Sequence, residues 1–298
     1  MLPPGLRYFL AVAQTGSIRE ACEQLHVAQS AVSRQILKLE QRLGAQLFIR
    51  GPRGMALSSA GEILLSHARE AALQEQRLDA DMASLRGLKR GHVVLRTIEG
   101  FAVSSLPEVY TGFMQRYPGI TMDISIAGSE TILPAVRDGL CHLGIAFNQL
   151  PDPDVAVLAS APQPLEVLCS PDHPLTTSPG AKLSDLLNWP LALPMPNGGS
   201  RRLIDAACHA AGLTLRPSLE TNSATLVGAF VATRGGVALF SGQRASAQVR
   251  SGQLVVVPLL LPRFRQGHIA LLARRGRRLP PAVESFAATL SAALMRRR

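Results

Sequence analysis

The sequence predicts an α/β protein with an N-terminal all-α winged helix-turn-helix domain, a long linker helix, and a C-terminal part made of two α/β lobes. Three observations carry this. Residues 1–60 read as short amphipathic helices broken at tight turns. Residues 59–88 form one proline-free run with apolar residues at alternating steps of four and three. From Gly91 onward, apolar strands alternate with helices. The expected boundaries are 1–58, 59–90 and 91–298, the last dividing into lobe I (91–160 and 267–298) and lobe II (161–266).

In the first part, Leu6, Phe9, Leu10 and Ala13 recur at helical spacing and stop at Gly16. Ser17-Ile18-Arg19-Glu20 fits a capping box, with Ser17 as N-cap and Glu20 reaching back. The helix it opens turns Ala21, Cys22 and Leu25 inward. After His26-Val27-Ala28 a second helix runs from about Gln29 to Leu43, with Val32, Ile36 and Leu39 on one face and Gly44 as its stop. Two short helices about three residues apart make a helix-turn-helix. The segment AQLFIRGPRGMALSS then reads as strand, Gly/Pro turn and return strand, a winged hairpin carrying Arg50 and Arg53.

In the second part, Leu64, Ala68, Ala71, Glu75, Leu78, Met82 and Leu85 form a coiled-coil seam, polar only at Glu75. A helix of ~30 residues would be about 45 Å long, more than a domain of ~60 residues covers. Pairing with a second copy is therefore expected. In the third part, HVVLRTI, ITMDISIAG and LGIAF are strands, with helices at Leu106–Tyr117 and Glu130–Asp138 between them. This βαβαβ order implies a parallel, doubly wound sheet. A second unit starts near LEVLCS and includes LALPM, a helix from Ser200 to Ala211, and GGVALF. The tail from His268 returns to the first unit.

Composition narrows the function. The formal charge of +10 favours polyanionic partners. No run approaches the ~18 apolar residues of a membrane span, and no signal peptide is expected, so the reading is cytoplasmic. Cys22, Cys141, Cys169 and Cys208 are dispersed and read as buried apolar residues; neither cysteines nor histidines show metal-ligand spacing. GxSxG, GxGxxG, P-loop and paired-carboxylate patterns are all lacking, so no enzyme and no cofactor are expected.

The run from Gly16 to Leu65 resembles the N-terminal domain of LysR-type transcriptional regulators. Ala31-Val32-Ser33-Arg34-Gln35-Ile36, Leu39-Glu40, Leu43-Gly44, Leu47-Phe48 with Arg50, and Ser59-Ala60-Gly61 carry the match. The resemblance continues through Tyr117-Pro118, Ser170 to Leu175, and Gly235-Gly236-Val237-Ala238, so it spans nearly the whole chain. Departures are Ser30 where proline is common, Ala28 where a serine or threonine often caps, Ser58-Ser59 at the linker start, and His142 in place of an aspartate.

The resemblance implies a DNA-binding regulator with a periplasmic-binding-protein-like effector domain. Its implied partners are double-stranded promoter DNA, a small-molecule effector, a second or further copy of itself (dimer or tetramer) and RNA polymerase. Gln29, Ser30, Ser33 and Arg34 lie in the first turns of the second helix, which in such motifs enter the major groove. Gln suits adenine, Arg suits guanine or phosphate, and Ser suits either. Arg53 at the wing tip is placed for a phosphate or the minor groove, and Arg50 and Lys38 for the backbone. In open parallel sheets ligands sit beyond the carboxyl ends of strands. That rule selects Ile98, Glu99, Gly100, Ser129, Phe147 and Asn148 from one lobe, and Ser200, Arg201, Asn222 and Ser223 from the other. Glu99 would repel an anionic effector unless Arg201 or Arg202 offsets it. A periplasmic-type binding protein and an α/β enzyme are the competing classes. The first would need an export signal and no DNA-binding head, and the second a catalytic constellation.

Overall fold

A computed structural model describes residues 2–51, 54–84, 90–196, 198–242 and 247–296. The chain divides into two compact units, one of Met1–Met82 and one holding the bulk of Ala83–Arg298. The first contains helices α1 (Pro4–Thr15), α2 (Ile18–Leu25) and α3 (Gln29–Leu43), strands β1 (Phe48–Gly51) and β2 (Gly54–Leu57), and helix α4 (Ser59–Ser84). Phe9, Val12, Ala21, Val32, Ile36, Leu39 and Leu47 close one core, with the Phe9 and Phe48 rings 5.2 Å apart. Ser17 caps α2 by accepting from the Glu20 N–H, but the reciprocal arm of the capping box is replaced: the Ser17 N–H donates to Thr15 Oγ1 at 3.2 Å. A nearer hydroxyl outcompetes the carboxylate.

Gly44 ends α3 in the left-handed region, which a residue with a Cβ enters only at a cost. The Glu40 carboxylate accepts from the Leu47 N–H at 2.8 Å, fixing how the chain leaves α3 for the hairpin. β1 and β2 pair antiparallel from Phe48↔Leu57 to Gly51↔Gly54. Met55 N–H donates to the Gly16 carbonyl, and a Cβ on Gly54 would press on that same oxygen, so glycine lets the hairpin seat against the α1–α2 turn.

The 26 residues of α4 span about 39 Å. Its first turns are absorbed by the unit's own core: Leu65 and Ala68 are buried with the helix-turn-helix residues, and Leu64 packs against them. Glu75 accepts from the Leu2 N–H at 2.9 Å. The first part of the seam expected from Leu64 is thus partly intramolecular, because Leu64, Leu65 and Ala68 pack into the head's own core. Leu78, 57% exposed, is not covered. The Met82 side chain and Leu85 lie outside the described residues.

The second unit holds two five-stranded sheets. Lobe I comprises β3 (Gly91–Thr97), α5 (Glu99–Ala102), α6 (Leu106–Arg116), β4 (Ile120–Ile126), α7 (Ser129–Arg137), β5 (Leu143–Phe147) and β6 (Val155–Pro162). Lobe II adds β7 (Leu165–Cys169), β8 (Leu191–Leu193), α8 (Gly199–Ala210), β9 (Leu219–Glu220), α9 (Ala224–Arg234), β10 (Val237–Ser241), α10 (Ala247–Arg250) and β11 (Val255–Pro258). The chain then returns to lobe I as β12 (His268–Arg274) and α11 (Pro281–Met295).

Strand orders are β4-β3-β5-β12-β6 and β11-β7-β10-β8-β9. The parallel expectation holds only for β4-β3-β5 and β10-β8-β9; β12, β6, β7 and β11 join antiparallel. These strands need no crossover helix, which frees them to carry the chain between lobes. Pro162 still pairs with His268 on lobe I, so the crossing falls at Gln163.

Helices cover both faces of each sheet. In lobe I, Phe113 and Phe286 meet edge-to-face at 4.8 Å in one core, while Ile132, Val136 and Leu272 fill the other. His142, buried where β5 begins, accepts the Val94 N–H on Nδ1 at 3.0 Å. Burial first, then Arg277 and His92, push its pKa down to about 4.

Candidate functional site

The first candidate surface is α3. Its apolar face is pinned by Val32, Ile36 and Leu39, so the 3.6-residue repeat turns Gln29, Ser30, Ser33, Arg34 and Lys38 outward, and all five are exposed. No hydrogen bond or ion pair ties Arg34 or Lys38 to another residue among those described, which leaves both charges available. Ala28 provides no side-chain cap, so the first N–H groups of α3 are open to an acceptor such as phosphate. Leu37, 54% exposed on this face, was not singled out by sequence; a leucine one turn below Arg34 suits a thymine methyl as well as solvent. Arg50 lies in β1 opposite Met55, but its side chain, like all of Arg53, is outside the described residues.

The second candidate site is a cavity of about 120 Å³ between the lobes. The carboxyl ends of β3, β4 and β5 supply Ile98, Glu99, Gly100, Ile126, Ala127 and Phe147, and those of β8 and β10 supply Pro194, Met195, Phe240 and Ser241. Ser129 opens α7 and accepts the Phe147 N–H on Oγ at 3.0 Å, locking that strand end while its own hydroxyl proton stays free to donate. Gly199 opens α8; a Cβ there would collide with the Phe147 carbonyl oxygen, so glycine permits a close backbone approach between the two lobes. Gly100 similarly faces the Ser241 carbonyl, 3.3 Å from where its Cβ would stand.

Of the ten residues chosen from sequence, the cavity gathers Ile98, Glu99, Gly100, Ser129, Phe147, Ser200 and Asn222. The other three stand aside. Asn148, with φ 44, uses Oδ1 to accept the His268 N–H at 3.1 Å. Arg201 turns to Glu220, to Asp205 at 2.9 Å and to the Pro194 carbonyl at 3.1 Å. Ser223 caps α9 through the Leu226 N–H and reaches across to Glu99, Oγ to Oε1 3.5 Å. Sequence reading missed Ile126–Gly128, Glu130, the Pro194–Pro196 turn, Phe240 and Ser241. The strand-end rule applied to every parallel strand, β8 and β10 included, and to the residues on both sides of each end would have found most of them. Among the described residues, no group of three or more His, Cys, Asp or Glu stands ready for a metal, and no helix is long and apolar enough to cross a membrane.

An outward-facing helix-turn-helix beside a two-stranded wing, followed by a separate two-lobed domain with a cleft, defines the class of one-chain regulators: a DNA-reading head and a small-molecule sensor. The chain belongs to the LysR family. The family model described as "Bacterial regulatory helix-turn-helix protein, lysR family" matches residues 5–62, and "LysR substrate binding domain" matches residues 86–295. A RuBisCO operon transcriptional regulator of Allochromatium vinosum is 28% identical over 287 residues, covering 94% of this chain and 92% of the relative. A probable nitrogen assimilation transcriptional activator of Synechocystis is 32% identical over 220 residues, 73% of this chain and 71% of the relative.

Among solved structures, a full-length OxyR variant from Pseudomonas aeruginosa aligns with TM-score 0.73 at 23% identity, over 97% of this chain and 94% of that one. Full-length CbnR complexed with its target DNA aligns with TM-score 0.65 at 22% identity, over 98% and 100%. These two share the fold. The protein is a DNA-binding transcriptional regulator with an effector-binding domain.

Proposed function

We propose that Gln29, Ser30, Ser33 and Arg34 read base edges in the major groove of promoter DNA, with Lys38 and Arg50 on the backbone and Arg53 on a phosphate or in the minor groove. The observation that carries this is the division of α3: one face is locked in the core, and the other presents two cations, unpaired among the described residues, and three hydrogen-bonding side chains. The inter-lobe cavity, through the seven residues it gathers, is the effector site, and no other cofactor or chemical activity is ascribed to the chain. The units run as head 1–58, linker 59–90 and sensor 91–298, in a cytoplasmic dimer or tetramer that acts on RNA polymerase. A ligand touching both lobes shifts their arrangement only by binding one arrangement better than the other.

Arg34→Ala is the direct test of the reading head. Losing a base-edge or strong phosphate contact should weaken specific binding by about 1–3 kcal/mol, or roughly 5- to 150-fold. A mobility shift at fixed salt on a specific and a scrambled duplex separates the two contacts: base readout loses affinity mainly for the first, a phosphate contact for both. Unchanged affinity for both would remove Arg34 from the interface.

A further inference from the structure

We propose that the effector carries a protonated nitrogen held against the Glu99 carboxylate of lobe I, and an acceptor end, such as a carboxylate, facing the start of α8 on lobe II. This rests on the reading that the inter-lobe cavity is the effector site.

The cavity's charge is one-sided. Glu99 and Glu130 line it from lobe I, and no lysine, arginine or histidine lines it among the described residues. The arginines that follow the cleft in sequence do not compensate. Arg201 is held by Glu220, Asp205 and the Pro194 carbonyl, and Arg202 Nη2 donates outward to the Asn148 carbonyl at 3.1 Å. Among the described residues, Glu99 has a single side-chain partner, Ser223 Oγ at 3.5 Å, beyond the usual range for an O–H···O bond. Its oxygens therefore still need donors once a ligand displaces water, and a charge buried without a partner is costly.

An anionic effector would add like charge to that face, and an apolar one would strip its water without replacing it. A protonated amine brings the opposite charge and up to three donors. The other wall differs: α8 opens on Gly198 with no side-chain cap, next to Ser200, so donors converge there. The cavity's size sets the scale. About 120 Å³ falls below the ~150 Å³ that takes benzene, which fits an amino-acid-sized molecule with a short apolar body. Glu99 and Ser223 belong to different lobes, so an ammonium replacing their contact would feed directly into the lobe arrangement.

Thermal unfolding and titration calorimetry on the full chain test this with three matched sets: the amino acids, the amines left by removing their carboxyl group, and the acids left by removing their amino group. Compounds keeping the ammonium should raise the unfolding midpoint, while their deaminated counterparts leave it in place. Glu99→Gln should weaken the active compound about 10- to 100-fold, the range of a lost charge-assisted contact. Silence of every ammonium compound overturns the proposal. So does binding of the deaminated acids that Glu99→Gln leaves unchanged or tightens; if Ser200→Trp and Asn222→Trp then abolish that binding, the cavity stands as effector site and only its charge preference falls. A compound whose affinity survives both cavity-filling variants overturns the cavity reading itself.

Discussion

Leu78→Asp is expected to separate the full-length chain into protomers and to lower its affinity for a two-half-site operator by about 10²- to 10⁴-fold, the usual gain from linking two binding modules. The Leu2 N–H of the head reaches the Glu75 carboxylate of α4. One turn further, Leu78 stands 57% exposed in the same seam, with Met82 and Leu85 next in the heptad pattern. If that exposed leucine packs against the linker seam of a second copy, as proposed, an aspartate there would place an unpaired charge in a dry seam. Sedimentation of the full chain, with mobility shifts on one and two half-sites, reads both consequences. Affinity for one half-site should barely change. An intact dimer with wild-type operator affinity would move the self-association surface off α4.

The second large effect is on stability against pH. Val94 N–H donates to His142 Nδ1, so that nitrogen carries no proton, and protonating it would break the bond inside lobe I. Burial, followed by Arg277 and His92, lowers the pKa from 6.5 to about 4. Above pH 6.5 the ring is neutral in folded and unfolded chains alike. Between 6.5 and about 4 the unfolded chain takes up a proton that the folded one refuses, so stability falls as pH falls through that window. The contribution lost by pH 4.5 is about 2–3 kcal/mol.

His142→Asn keeps an oxygen able to accept from Val94 but cannot titrate. Denaturant unfolding at pH 7.5 and 4.5, followed by the single tryptophan Trp189 of the same unit, should show a smaller pH penalty in the variant by about that amount. Equal penalties in both proteins would mean that His142 titrates normally.

Local periodicity made most of the fold legible. The two faces of α3 follow from Val32, Ile36 and Leu39 at helical spacing, and the strands of both lobes from apolar runs that each must be buried. What stayed hidden depends on partners distant in sequence. The antiparallel strands β6, β7, β11 and β12 look like parallel ones until their neighbours are known. The start of the linker seam, Leu64 to Ala68, is taken up by the head's own core, which spacing along α4 does not reveal. The capping box failed at Ser17 because Thr15 lies closer than Glu20. In the cavity, strand ends located Glu99, Ser129 and Phe147, yet Arg201 was turned away by Glu220, nineteen residues on and brought alongside by β9. Charge compensation across a cleft is a tertiary property.

Sequence-specific reading of DNA by paired heads has a direct test. Selection from a random duplex pool by the full-length protein, repeated at two salt concentrations, tests it most directly. The expected result is one enriched motif of two inverted half-sites with centres one or more helical turns (~10 bp) apart, lost when the Arg34→Ala protein performs the selection. Retention of the pool without any enriched motif, weakening with salt alike for all sequences, would show a basic protein holding phosphates and contradict the account.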